Sequence, residues 1–382
     1  MSLGLDVKVS KIEQPSTIGN GNTLYVGGDG PGNYTKIQDA IDNASDGDTV
    51  FVFNGTYYES VTIDKEITLL GEDRETTIID GGGTGYSFVV YITVNNTSVC
   101  GFTIYNCSDL IEKGVFISPL IVSSNIVIRG NIIENNWIGI QETLSSNISI
   151  LDNIIINTSY GILSAVASNT IKRNTIINHT FGVYMQGTSS IVEDNVISTK
   201  KTPYVPMTVG ITSKFSDTTN VIKGNKVIDH LVGIHCYGSS NHIICRNNIT
   251  NNYIGIAISN SSKFEINENR IKNSYWYGFD ITASSKNNIV RNTIANSGIY
   301  GIFLQRLPYP YYSMFNRFKN NNFIENNCSA FFKDSLFNKW NGNYWEISRL
   351  RPYPIFGKMV FGKIFVPWFN IDWHPASEPY DI

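Results

Sequence analysis

The segment ICRNNITNNYIGIAI at residues 244–258 is followed one repeat later by INENRIKNSYWYGFDI at 266–281. Each holds Asn-x-Ile, with an aliphatic residue three positions before the Asn and a Gly-apolar pair eight or nine after it. In both directions along the chain the same Asn recurs, at 131, 153, 174, 195, 225, 247, 269 and 292. The Gly-apolar pairs begin at Gly139, Gly161, Gly182, Gly210, Gly233, Gly255, Gly278 and Gly301, with spacings of 22, 21, 28, 23, 22, 23 and 23.

A fixed period in the low twenties marks a solenoid whose coils stack. Leucine-rich repeats need Leu at fixed positions, and here Ile, Val, Asn and Thr hold them instead. Each coil contains three short apolar runs that alternate with polar residues, which is strand periodicity. The expected fold is all-β, a right-handed single-stranded parallel β-helix. Dividing the span 49–336 by the repeat gives about ten to twelve coils. Coils would stack at the strand spacing of ~4.8 Å. Identical Asn residues at a bend could then bond to one another and to turn backbone, satisfying polar groups that would otherwise be buried. A second column four residues on, Asn135, Asn157, Asn178, Asp229, Asn251, Asn273 and Asn296, suits tight turns, because Asn tolerates a left-handed backbone.

Composition narrows the function. Only 16% of residues are charged and the formal net charge is −3, which argues against a nucleic-acid-binding surface. The five Cys, at 100, 107, 236, 245 and 328, form no C-x-x-C pair and read as single fillers. No apolar run reaches 18 residues, so no transmembrane helix is expected. The opening Met1-Ser2-Leu3 lacks a signal-peptide pattern, and sequons such as Asn33, Asn54 and Asn260 permit export.

Four segments are expected: a lead-in over 1–22, an N-terminal cap over 23–48, the β-helix over 49–336 and an aromatic, Pro-rich cap over 337–382, too irregular for another coil. In the first cap, Thr35-Lys36-Ile37-Gln38 fits a capping box, with Thr35 at the N-cap of a helix whose apolar face is Ile37, Ala40 and Ile41. Such a helix would plug the open end of the strand stack. Three loops interrupt the repeat, at about 106–121, 199–208 and 305–314.

Residues Val26 to Asp80 carry Asp29-Gly30, Ile37-Gln38-x-Ala40-Ile41, Asp46-Gly47-Asp48, Gly55-Thr56-Tyr57-Tyr58-Glu59 and Leu70-Gly71-Glu72-Asp73. This stretch resembles the opening of pectin methylesterases, and equally that of NosD-like carbohydrate-binding and sugar-hydrolase β-helix repeat proteins. From 125 onward the NosD-like resemblance is the stronger. The tail motif Trp340-Asn341-Gly342-Asn343-Tyr344-Trp345 is similar to the closing motif of archaeal cell-surface members. The resemblance implies an exported protein, extracellular or on the cell surface, with a polysaccharide or cell-surface glycan as partner.

Catalytic signatures are incomplete. Gln141-Glu142-Thr143-Leu144 comes near the esterase Q-D-T-L, but the second carboxylate motif and the Arg motif are missing. Arg270-Ile271-Lys272 matches the polygalacturonase R-I-K without its companions, and the alginate-epimerase D-P-H is absent. A charged column precedes the Asn column: Asp152, Arg173, Asp194, Arg246, Glu268, Arg291. It reads first as a ladder of surface ion pairs. Its functional alternative is a carboxylate with an Arg clamp, which makes Asp152, Arg173 and Asp194 the catalytic candidates. His235, His242 and Cys245 are the candidate metal ligands, against a plainer reading as a buried thiol and surface imidazoles. His179 and His230 share a repeat position but lie two coils and an insertion apart. The candidate ligand-binding residues are Tyr253, Trp276, Tyr277, Tyr300 and Tyr311, rings that stacked coils would gather on one face. No cofactor is expected. The sequence thus points to a structural or glycan-binding protein without catalysis, with a uronate lyase, epimerase or pectin-esterase-like enzyme as the alternative.

Overall fold

The computed structural model describes residues 21–82, 85–105, 113–118, 125–166, 168–200, 207–307, 312–346, 351–361 and 364–382. Its unit is one coil of three strands, for example Ile243–Cys245, Asn248–Thr250 and Ile254–Ser259. Successive coils pair in parallel and in register: Ile244 with Ile266, Ile249 with Ile271, Ile256 with Phe279. Three sheets result. The first holds the strands that precede each Asn, the second those that follow it, and the third those that carry the Gly-apolar pair. The chain is a right-handed parallel β-helix of about 13 turns, with one short helix among the described residues.

Register decides which side chains go inside. Alternation sends Ile128, Ile150, Ile171, Val192, Ile222, Ile244, Ile266 and Ile289 inward from the first sheet, all fully buried. At the third sheet, Gly255 lets the strand of one coil approach the next. A Cβ there would lie 2.5 Å from Ile271 Cγ2 and 2.6 Å from the Gly278 carbonyl oxygen.

The inner asparagines form a continuous ladder. Each Oδ1 accepts from both the backbone N–H and the Nδ2 of the preceding Asn. Asn225 N and Nδ2 both lie 3.0 Å from Asn247 Oδ1, and Asn247 reaches Asn269 Oδ1 at 3.1 and 2.9 Å. Each Nδ2 also donates to a first-sheet carbonyl of the coil before, as Asn247 does to Ile222 O at 2.9 Å. The ladder runs past Asn292 through Asn321 and Asn343 and ends on Asp372 Oδ2. At its other end Phe102 donates only its backbone N–H to Asn131. The second column faces outward and forms a lesser ladder, with Asn157 Nδ2 3.0 Å from Asn135 Oδ1. Its members do adopt left-handed backbone, from Asn135 at φ 55° to Asn296 at φ 57°.

Two expectations about the ends are corrected. The helix spans Ile37–Asn43 with Lys36, not Thr35, at its N-cap and no side-chain cap of its own. Glu59 supplies the acceptors instead, taking Ile37 N–H at 2.8 Å and Gln38 N–H at 3.0 Å. The Gly55-x-Tyr57-x-Glu59 motif therefore fastens the cap: Tyr57 Oη donates to Phe53 O, and Gln38 bonds to Thr62. At the other end the tail is less irregular than its sequence suggests. Lys339–Asn341 and Tyr344–Trp345 continue the first and second sheets, with rings in place of Ile. Phe318 stacks on Trp340 at 4.0 Å, and Phe323 on Trp345 at 4.4 Å. These strands bring the turn count above the expected ten to twelve.

Replacing Asn247 by Ala should strand Asn225 N–H in the interior, at about 1–3 kcal/mol. Asn178→Gly, in the outer ladder, keeps its left-handed backbone and should cost under about 1 kcal/mol. Urea titrations of the two variants check the contrast, and equal losses would contradict the assignment of the inner ladder.

Candidate functional site

The charged column occupies the corner between the first and second sheets. Its residues are left-handed, with φ 57° at Asp152, 55° at Arg173 and 55° at Asp194. Gly130, Gly224 and Gly342 fill the same position elsewhere, so backbone geometry sets the column before charge does. Arg173 grips Asp152 with Nε and Nη2 at 2.6 and 2.9 Å, and Arg129 lies 3.3 Å from the same carboxylate. Lys172 reaches Asp194 at 4.0 Å and Glu193 at 3.1 Å, while Arg246 and Arg291 share Glu268. Asp152 and Arg173 thus neutralise each other. This corner is also the one that does not border the third sheet.

The three candidate metal ligands are not brought together. His235 projects outward from the third-sheet strand Val232–Tyr237. His242 points into the interior, 2.8 Å from Ser213 Oγ and stacked at 4.8 Å on Phe264. Cys245 faces outward on the first sheet. Burial lowers the pKa of His242 to about 4 and raises that of the inward Cys236 to about 12. Among the described residues no group of three or more His, Cys, Asp or Glu could hold a metal ion. His179 and His230 do meet, Nε2 to Nε2 at 3.0 Å, although a coil intervenes in the sequence. Burial keeps both neutral, driving His179 well below its ordinary pKa and His230 to about 3.

Rings gather at the third sheet and its border with the second. Tyr253 lies 4.9 Å from Tyr275 and 5.1 Å, edge-on, from Trp276. On the outer face of the third sheet Tyr277 stacks on Tyr300 at 5.8 Å, and Tyr300 on Phe331 at 5.0 Å. Tyr311 lies outside the described residues. Other rings on this face escaped the sequence reading: Tyr91 and Phe116 at 5.1 Å, Tyr160 and Phe181 at 5.0 Å with Tyr184 edge-on to both, and Phe303 beside Tyr277 and Tyr300. Their signal was available, since all but Tyr91, whose coil has Val89 at that place, fall one before or two after the third-sheet Gly. Asp280 sits in the same row. Its carboxyl pKa is raised by burial, and its Oδ1 accepts from Thr282 Oγ1 at 2.7 Å. A cleft of about 710 Å³ at the N-terminal cap is lined by Tyr58 and Tyr86 among others, and Tyr86 leads through Phe88 to Tyr91.

The near-match to the esterase signature is split by the pleat. Gln141 is partly exposed, whereas Glu142 is fully buried and points into the interior. There it accepts from Ser164 Oγ and, at 2.5 Å, from Asn169 Nδ2. Burial raises its pKa to about 8.

Two outcomes follow from this geometry. A carboxyl at 4.5 when unfolded and about 8 when folded favours the folded state fully below pH 4.5. That contribution should decline as pH rises from 4.5 to 8 and be absent above. Glu142→Gln should remove this component of the pH dependence and leave the variant more stable than the parent at high pH, as read by Tm against pH. In the charged column, Arg291→Gly should be tolerated, whereas Arg291→Val should destabilise by about 1 kcal/mol through its left-handed backbone. Denaturant midpoints of the two variants decide this.

Comparison with known proteins places the chain. Residues 41–208 match the family described as Periplasmic copper-binding protein (NosD), and residues 209–345 match the Right handed beta helix region family. No curated protein matches the sequence. The A-module of Azotobacter vinelandii mannuronan C-5 epimerase AlgE6 is similar in structure, with a TM-score of 0.58 at 15% identity over 80% of this chain and 93% of that one. A GH87 α-1,3-glucanase from Streptomyces thermodiastaticus gives 0.56 at 14% identity, over 77% and 64%. The periplasmic alginate epimerase AlgG gives 0.52 at 15%, over 74% and 76%. At such identities these likenesses establish a common fold. The copper in the first family's description finds no fitting donor set among the described residues: the thiols of Cys100 and Cys236 are buried and hard to ionise, and no third ligand joins His179 and His230. The chain is a right-handed parallel β-helix protein, similar to the NosD family over residues 41–208 and to the right-handed β-helix region family over residues 209–345.

Proposed function

We propose that this is an exported protein that binds polysaccharide along the outer face of the third sheet and has no catalysis of its own. One observation carries the reading. The exposed and half-exposed rings and the sequence insertions collect at the same sheet: the segments 106–112 and 199–208 precede third-sheet strands, and 118–125 and 306–316 follow them. Flat rings beside hydroxyl and amide side chains suit sugars, whose ring faces are apolar and whose edges are polar. Trp276, 39% exposed and edge-on to Tyr253, offers a ring face that stacking does not consume. Tyr277 and Tyr300 face each other and present their edges. A family described as periplasmic, and fold neighbours whose names include two epimerases and a glucanase, are consistent with export and with a glycan ligand.

Asp280 favours a second reading, a polysaccharide-active enzyme. A carboxyl whose pKa burial raises, beside Tyr277, is shifted in the direction a general acid needs.

Affinity electrophoresis on alginate, pectin and α-1,3-glucan, with an activity screen beside it, separates the two. Trp276→Ala and Tyr300→Ala should weaken retardation at least tenfold at unchanged Tm. Asp280→Asn should leave binding intact. Turnover that disappears in Asp280→Asn would establish the enzyme. Retardation indifferent to both ring substitutions would remove the third-sheet face from consideration.

A further inference from the structure

The C-terminal end carries an apolar surface of a different kind. Residues Tyr353–Phe361 and Ile364–Asp372 pair antiparallel over nine positions, the only antiparallel pair among the described strands. Alternation gives this hairpin two faces. One turns Ile355 and Met359 onto the end of the solenoid, where they are 1% and 9% exposed. The other holds Phe356 opposite Phe369, Lys358 opposite Pro367, and Val360 opposite Phe365. Phe356, Phe365 and Phe369 are 64, 62 and 57% exposed. A contiguous patch of this sort marks a surface that something covers.

We propose that the outer face of this hairpin docks on an anionic lipid membrane. Three observations select that occupant. First, the face is Phe, Val and Pro, with no hydroxyl or amide side chain among its described residues to bond a sugar. Second, its charge is one-signed. Lys358 Nζ lies 5.1 Å over the Phe365 ring, and Lys333 is in register beside Lys358. Among the described residues no carboxylate stands on the outer face. The nearest, Asp334, is buried and held by Arg306 at 3.0 Å and Val360 N–H at 2.5 Å. Third, a second copy is a poor fit, because two such faces would meet without an acid to answer either lysine. Rings that insert to headgroup depth, with lysines at the phosphate level, satisfy both the apolar area and the charge. No helix of the described residues is long and apolar enough to cross a membrane, so attachment would be peripheral.

The test uses the full chain and sucrose-loaded vesicles of phosphatidylglycerol or of phosphatidylcholine. Co-sedimentation should be at least tenfold stronger on phosphatidylglycerol and should fall as salt rises. The triple variant Phe356→Ser, Phe365→Ser, Phe369→Ser should lose at least tenfold. Lys358→Glu, which leaves every ring in place, should lose the preference for phosphatidylglycerol. Absence of sedimentation on phosphatidylglycerol overturns the proposal. So does a concentration-dependent dimer in analytical ultracentrifugation that the serine variant abolishes. The hairpin's first strand pairs with the third-sheet strand Ala330–Lys333, so the glycan assay is kept distinct by its variants: Trp276→Ala should leave sedimentation unchanged.

Discussion

The side-chain amide of each inner asparagine bonds to the next one along the axis, and that bond recurs from Asn131 to Asn343. An amide can extend such a ladder indefinitely because it offers both a donor and an acceptor. Ending it requires a group of the other kind. Asp372 is that group. As a carboxylate it only accepts, and it takes Asn343 N–H and Nδ2, Gly342 N–H and the indole N–H of Trp345 without needing a further coil. The strand that delivers Asp372 is the second arm of the terminal hairpin. Closure of the ladder and closure of the solenoid are therefore one event.

Continuity of the ladder restricts where the chain can vary. The corner between the first and second sheets contains two residues in every coil from Gly101-Phe102 to Gly342-Asn343. An insertion there would pull apart amides that must sit one strand spacing from each other. The other two corners carry no such column through all coils, and their lengths differ: five residues separate Lys333 from Lys339, whereas 11 separate Gln305 from Arg317. Loops are thus displaced to the two borders of the third sheet. The place where this protein can acquire binding residues follows from the place where it cannot.

Much of the fold was legible because an inward Ile and a bend Asn are needed once per coil, and both recur in the sequence. The regions that were not legible broke that pairing. Phe318, Trp340, Phe323 and Trp345 take the place of Ile in the last coils, and their rings disguise the period. Glu59 caps a helix 22 residues away, beyond any local capping pattern. The site was less legible than the fold. A reading framed on the Asn column found the charges beside it, which pair with one another. The rings of the third sheet are in frame with Gly, and the two frames drift apart wherever a corner changes length.

Side-chain direction explains why a signature in this fold does not transfer by sequence alone. Gln141 and Glu142 are neighbours in the chain, yet the pleat sends one to solvent and the other into the interior. Inside, a carboxyl meets Ser164 and Asn169, and burial raises its pKa to about 8. Outside, Asp280 occupies the position two after its Gly that Gln141 occupies in its own coil, and its partners are Thr282 and Gln305 from the same face. Chemistry on a β-helix belongs to columns of the outer face. A family resemblance in this fold must therefore be carried column by column, and the columns that differ here from one coil to the next are those of the third sheet.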